Sequence, residues 1–449
     1  MPPPRTRPVV NRALSTLIEQ AGWTHAATAQ HVNAVAAESG ERIHYDRSAV
    51  GHWLTGTVPR PEAVRAAVEA FRRRLGRPDL GPADLGWPDR DGAAPDDPWS
   101  GDPVARLAAL GEDDMLNRRT VLTAGTLTLA ALSAHGGDAR ARAAPRRAGS
   151  GDVTRIRATT RSFADLDDQF GGGHGRIAVA AYLAREVTPL LHATNGRSRP
   201  DLFGAAAELC YLAAYMAMDA GANALAQRYY ISSVRLADEA GDGVLRATAL
   251  RSMAVQAAEL GHDTEALALA EAAASALAGH GPPRTRAWVT GMRAEAHAAA
   301  GTRWDALNLL RSTETQLERA DSVPESEWTG NYRRESLEHQ IGLTLTQLGD
   351  HATAARHFAA SMNARRPVEL RTRALIGLRA AHAFLRAGEV ERAAGTVLEL
   401  SEDLRQISSA RVRDELSRLR ADWQAYRGDP VVTRADRFVA ETVLRTRIF

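Results

Sequence analysis

Few residues in this chain are spaced for covalent chemistry. Phe170-Gly-Gly-Gly-His-Gly-Arg176 sets four glycines just ahead of a helix beginning near Ile177. A glycine-rich turn at a helix N-terminus can cradle a phosphate. This one lacks the Gly-x4-Gly-Lys-Ser/Thr spacing, the chain has no lysine, and no strand precedes it. A tight turn between two helices is the better reading, and no nucleotide hydrolysis is expected. The 14 histidines are scattered without a His-Glu-x-x-His pair, and Cys210 is the single cysteine, so neither a metal site nor a cofactor is expected. With no Gly-x-Ser-x-Gly elbow either, nothing argues for an enzyme. What remains is recognition chemistry, carried by arginine: all 56 basic residues are Arg.

The 449 residues exceed one ordinary domain, so two or three units are expected. A net charge of +2 excludes a chain that coats nucleic acid by bulk charge. The charge is unevenly spread: net +4 over 1–76, −7 over 77–115, +5 over 116–150 and balanced beyond. This pattern suggests a basic head, an acidic linker and a neutral body. Hydrophobic residues at 44% supply ordinary cores, while only 5% aromatics and abundant Ala and Leu favour helices packed through small side chains. A lone cysteine excludes a disulfide framework, and a cytoplasmic protein is expected.

Apolar spacing places four short helices in the head. The first runs from about Val9 to Gln20 with Val10, Leu14, Leu17 and Ile18 inward. The second follows Thr24 and reaches Glu38 with Ala26, Ala29, Val32 and Val35 inward. The third opens at Asp46 or Arg47, buries Val50, Trp53 and Leu54, and closes at Gly56. The fourth spans Pro59 to Leu75 with Val64, Val68, Phe71 and Leu75 in register. Four such helices suit a helix-turn-helix DNA reader. Tyr45-Asp-Arg-Ser-Ala-Val-Gly-His-Trp-Leu-Thr-Gly with Val58-Pro-Arg-Pro resembles the recognition helix and exit turn of the Cro/repressor-like (XRE) class. A helix entering the major groove needs small or polar residues at its start. Arg47, Ser48, Ala49 and His52 fit, and the Arg47 guanidinium matches guanine O6/N7. Thr55, Arg60 and the arm residues Arg5 and Arg7 would hold phosphate or the minor groove. The connection from Ser39 to Asp46 is longer than the usual tight turn. A four-helix module that docks protein instead of DNA is the alternative.

After the head, 77–112 reads as an acidic Pro/Gly-rich linker. Arg118-Arg119 then precedes an apolar, Ala-rich run. The pair resembles a twin-arginine export signal, but lies more than 100 residues into the chain, and the run is broken by Thr, Ser, His and Gly. A packed helical segment over 113–135 is expected, without stable membrane association, followed by a flexible linker over 136–151.

The body, 152–449, is a repeat. Gly221, Gly261, Gly301, Gly349, Gly388 and Gly428 recur at 40, 40, 48, 39 and 40 residues, and Ala226, Ala266, Ala306, Ala354 and Ala393 follow five later, with Thr433 breaking rank. This grammar resembles tetratricopeptide (TPR) repeats at a longer period. An all-α chain is expected, a helix-turn-helix domain followed by a TPR-like α-solenoid whose first helices line a concave face. Tyr211, Tyr215, Met218 and Asp219, then Arg251 and Gln256, then Arg293 and His297, are candidates there for a peptide, small-molecule or protein effector. Core packing is the competing reading for the Tyr and Met positions.

Taken over nearly its full length, the chain resembles actinobacterial regulators with an XRE-like head and a divergent TPR body, the NsdA-like group. The residues carrying this are Asn33, Tyr45-Asp46, Trp53, Gly56 and Pro59-Arg60; Asp113-Asp-Met-Leu-Asn-Arg-Arg119; Leu166-Asp-Asp-Gln-Phe-Gly-Gly-Gly-His174; Met218-Asp-Ala-Gly221 with Leu225-Ala-Gln-Arg-Tyr229; and Arg235-Leu-Ala-Asp-Glu-Ala-Gly-Asp242. The resemblance implies a transcriptional regulator, a repressor of development or secondary metabolism. Its partner would be double-stranded DNA, bound as a homodimer because one short helix covers a half-site. An interaction scaffold is the second reading.

Overall fold

The computed structural model describes residues 10–38, 43–75, 77, 80–88, 99–116, 149–173, 175–194, 196–277, 281–320 and 332–445. Every regular element among them is helical. The chain divides into two compact units, one of residues up to Ser100 with Ala222–Leu225, the other of Gly101–Gly221 and the residues from Ala226 onward.

The head holds α1 (Arg12–Ala21), α2 (His25–Glu38), α3 (Arg47–Leu54) and α4 (Pro61–Leu75), then a 3-10 turn at Pro82–Leu85. Its start signals are local. Asn11 accepts from the Leu14 amide at 3.0 Å, Thr24 from Ala27 at 3.1 Å, and Asp46 from Ala49 at 2.9 Å, each satisfying an otherwise orphaned donor of its helix. Gly22 ends α1 in the left-handed region at φ 67°. Leu14, Leu17, Val32, Val50, Trp53 and Phe71 form the core, so Trp53 is a packing residue. Val10 and Ala26 face solvent rather than the core: Val10 precedes α1 and is tied by its backbone to Leu54, and Thr28 takes the inward position on α2.

The acidic stretch expected to be linker over 77–112 is largely folded. Leu80, Leu85 and Trp87 are buried in the head core, with Trp87 edge-on to Trp53 at 5.8 Å. Asn11 Nδ2 donates to the Leu85 carbonyl at 2.8 Å and Arg72 Nε to that of Leu80 at 2.7 Å. Residues 103–116 form a helix of the second unit. Net charge obscured both: Asp84, Asp102 and Glu112, the acids among the described residues of this stretch, are exposed, while a few apolar residues anchor it.

The long connection between α2 and α3 is held by one side chain. Asn33 donates from Nδ2 to the Tyr45 carbonyl at 2.8 Å and accepts from the Tyr45 amide at 2.9 Å. Asn33→Ala leaves both backbone groups without partners and should cost about 1–3 kcal/mol. Faster hydrogen exchange of the α3 amides is the expected readout.

The second unit begins with α5 (Pro103–Leu116) and α6 (Ser150–Phe170), then α7 (Arg176–Tyr182) and α8 (Thr188–Ala193), joined by a π turn at Leu183–Val187. Residues 117–148, with Arg118-Arg119 and the apolar run, lie outside the described residues, as do Arg5 and Arg7. Six antiparallel pairs follow: α9 (Arg199–Asp219) with α10 (Asn223–Ala240), α11 (Gly243–Glu259) with α12 (Asp263–Leu277), α13 (Pro283–Ala299) with α14 (Arg303–Glu318), α15 (Arg334–Gln347) with α16 (His351–Ala364), α17 (Leu370–Arg386) with α18 (Val390–Glu399), and α20 (Ala410–Asp422) with α21 (Pro430–Arg445); the short α19 (Ser401–Gln406) separates the last two. This is an α-solenoid. Gly221, Gly261, Gly301, Gly349 and Gly388 close the first helix of five pairs at φ 78–83°. The five alanines five residues later are fully buried, letting the paired backbones approach closely.

The solenoid winds back on itself. Arg371 of α17 meets Asp167 of α6, and Arg411 of α20 and Arg379 of α17 both meet Glu259 of α11. The glycine-rich turn is part of this closure. A Cβ on Gly171 would stand 2.5 Å from the Ser408 carbonyl oxygen, and one on Gly172 2.4 Å from that of Met216. The Gly172 amide donates to Asp219 at 2.9 Å, and Arg176 is buried against Asp114. These glycines serve close backbone approach.

Candidate functional sites

In the head, α3 presents Arg47, Ser48 and His52 to solvent on one side while Val50, Trp53 and Leu54 fill the core on the other. Gly51 lies between them, and a Cβ there would meet nothing within 4 Å, so the surface is open for another molecule to approach. Arg60 is exposed just before α4. Among the described residues no carboxylate stands within ion-pair distance of Arg47, His52 or Arg60. Two expected contacts are less available. Ala49 turns its methyl toward the core, and the Thr55 hydroxyl donates to the His52 carbonyl at 3.0 Å.

In the body, the wound solenoid encloses two cavities of about 260 and 160 Å³ whose walls share Tyr215, Arg251, His339 and Arg371. Most lining residues come from the first helices of the pairs, with Ala164, Asp167 and Asp168 from α6. Tyr211, Tyr215, Met218 and Arg251, read from sequence as concave-face candidates, are in these walls. Asp219, Gln256 and Arg293 are not. Asp219 is buried behind the wall, where it accepts from Gly172 and from Ser409 Oγ at 2.7 Å. Gln256 is buried within its pair. Arg293 pairs with Glu271 at 2.9 Å, beside His297 at 3.3 Å. Sequence reasoning missed Trp288, Tyr332, Arg365, Arg371, Arg379 and Arg411. The signal available for Arg371, Arg379 and Arg411 was their position on first helices; what brings them to one place is the superhelical winding.

The polar groups around the cavities fall into linked sets. Arg371 stands 2.9 Å from Asp167, 2.9 Å from Asp168 and 3.8 Å from Asp219, with its guanidinium 4.7 Å from the Tyr215 ring centre. Burial is the main influence pushing the Asp167 carboxyl up to about 7; Arg371 opposes it and the two other carboxylates reinforce it. One guanidinium cannot fully balance two buried carboxylates and a half-exposed one, so Asp167 is the member that takes up a proton as pH falls through about 7. Burial also works to raise Glu259, but Arg411 and Arg379 hold it below its usual range. Burial and then Arg379 push the His339 imidazole well below its usual value, and its Nε2 takes the Arg379 Nη1–H at 2.7 Å as a neutral acceptor.

The Asp167 proton has a pH signature. A carboxyl raised from 3.8 to about 7 by folding stabilises fully below 3.8, and that contribution is lost as pH rises through about 7. Asp167→Asn imitates the protonated form. Wild type should lose thermal stability between about pH 5 and 7, by up to ~1.4 kcal/mol per pH unit, and the variant should show a flatter profile.

Against known proteins, the family model described as SP15 N-terminal domain matches residues 14–88. The match ends one residue beyond Trp87, the last buried residue of the head core. No curated protein and no solved structure matches the chain. Among the described residues no helix is long and apolar enough to cross a membrane, and no group of three His, Cys, Asp or Glu is placed to hold a metal ion.

Proposed function

We propose that the chain is a sequence-specific DNA-binding transcriptional regulator whose solenoid body senses an effector. The observation that carries this reading is the division of α3. Its apolar side is locked into the head core, while Arg47, Ser48 and His52 are exposed along the other side of the eight-residue helix, with no ion-pair partner for Arg47 or His52 among the described residues. A helix that serves only packing has no need to leave an unopposed guanidinium there, whereas a base reader needs one within reach of guanine. One such helix covers a half-site, so the active form is a homodimer. The body supplies the second function: ion pairs between distant helices close its coil, and a ligand that prefers a different curvature would bias the spacing of two heads.

Selection of genomic fragments by the full-length protein at near-physiological salt tests the reading, with Arg47→Ala/Ser48→Ala in parallel. A shared two-half-site sequence enriched by wild type and lost in the variant is expected. Weak, salt-sensitive, unselective binding by both would leave the head as a protein-docking module.

A further inference from the structure

The larger of the two cavities around Arg251 holds more cationic and hydrogen-bonding capacity than the protein itself uses. Arg251 of α11 lies with its guanidinium 4.4 Å from the Trp288 ring centre, and its Nε has no hydrogen-bond partner. No carboxylate stands within ion-pair distance of it among the described residues. The neighbouring cations differ: Arg371, Arg379 and Arg411 are each committed to a carboxylate. Arg365 is partly committed: Nη2 donates to Ser336 at 3.1 Å and Nη1 stands 3.7 Å from Glu369, while its buried Nε is without a partner. Tyr332 is 2% exposed and lines the same cavity, yet its hydroxyl is unpartnered. Sheltered polar groups are normally satisfied, and a group left open beside a cavity is a place for something else to bind.

We infer that this cavity is a binding site for a small organic anion bearing a carboxylate or a phosphate monoester. Its charged group pairs with Arg251 and Arg365 and accepts from the Tyr332 hydroxyl, while its apolar body lies against Tyr211, Tyr215 and Trp288. A neutral ligand would strip water from Arg251 without balancing its charge. The volume of about 260 Å³ admits a molecule of small-metabolite size; a peptide of several residues needs a longer groove. The ligand would touch α9, α11 and α13 and the chain beside α15 and α16, joining four successive pairs, which is how occupancy would set curvature. This deepens the sensor half of the proposed function and is independent of the DNA-reading half.

Calorimetric titration of the full-length protein with phenyl phosphate, benzoate and phenol tests it. At least one of the two anions should bind at least about tenfold more tightly than phenol, and the order of the two distinguishes phosphate from carboxylate chemistry. Arg251→Gln removes a cation that forms no direct ion pair, and the buried Glu295 that feels its charge keeps Arg379 and the Gln340 amide, so the fold should be retained while anion affinity falls at least about tenfold. Arg251→Lys, which keeps the charge and loses the fork, should fall between. Arg293→Gln makes the same charge change outside the cavity and should bind as wild type does. The inference is overturned if Arg251→Gln binds as well as wild type, if phenol matches both anions, or if neither anion binds at about 10 mM, where saturable sites of mM affinity register. Loss of fragment selection with anion binding intact would overturn the DNA reading alone; the converse would overturn the site alone.

Discussion

Arg371→Met should destabilise the body by about 3–5 kcal/mol, the cost of breaking a buried ion pair by removing one partner. The magnitude follows from what the guanidinium does. It lies on α17, is 3% exposed, and meets Asp167 and Asp168 of α6 and Asp219 of α9. Without it, two buried carboxylates and a half-exposed one face each other with only the more distant Arg411, already paired with Glu259, to offset them. Asp219 cannot turn away, because it already holds the Gly172 amide and the Ser409 hydroxyl. Chemical unfolding followed by hydrogen exchange should show α6 and α17 opening first, since this cluster ties one end of the coil to its fifth pair. Arg371→Met/Asp167→Asn removes one acid along with the cation and should recover part of the loss. Equal stability of wild type and Arg371→Met would mean that the closure of the coil depends on apolar packing alone.

The second large effect concerns the head. Arg47→Ala/Ser48→Ala should weaken binding to a selected operator by about 1–3 kcal/mol for the arginine alone, or roughly 5–150-fold, with a smaller addition from the serine. Both side chains are exposed, and neither contributes to the core that Val50, Trp53 and Leu54 build from the same helix, so thermal unfolding should be unchanged. Arg60→Ala separates the two kinds of contact. If Arg60 holds a phosphate, its loss weakens all sequences alike and lowers the salt slope by about 1. If instead the selected sequence changes, Arg60 reads a base. Affinity measured against salt concentration for the three proteins gives both answers.

How much of this was legible beforehand depended on the range of the interaction. Helix starts and stops were readable because they are local. Asp46, Thr24 and the repeating Gly and Ala act on backbone groups within a few residues, and the structure places them as caps, left-handed stops and close-packing points. The head boundary was misplaced because three apolar residues, Leu80, Leu85 and Trp87, outweigh an acidic surrounding once a core exists to receive them. At the body's cavities, Tyr211, Tyr215 and Arg251 were identifiable as facing residues of neighbouring first helices. Asp219 and Arg293 share that chemistry but point elsewhere, one into the coil closure and one toward Glu271.

The sequence by itself determined an all-helical chain, a compact head whose third helix is polar on one side, and a repeating body of helix pairs. Periodicity and capping act over a few turns, so the order of residues suffices to specify them. Only the tertiary structure decided that the solenoid coils far enough for α6 and α17 to meet, that Arg371 must balance three acids, and that Arg251, Tyr332 and Trp288 border one cavity. Those relations arise from small rotations added over successive pairs, and no local pattern encodes that sum.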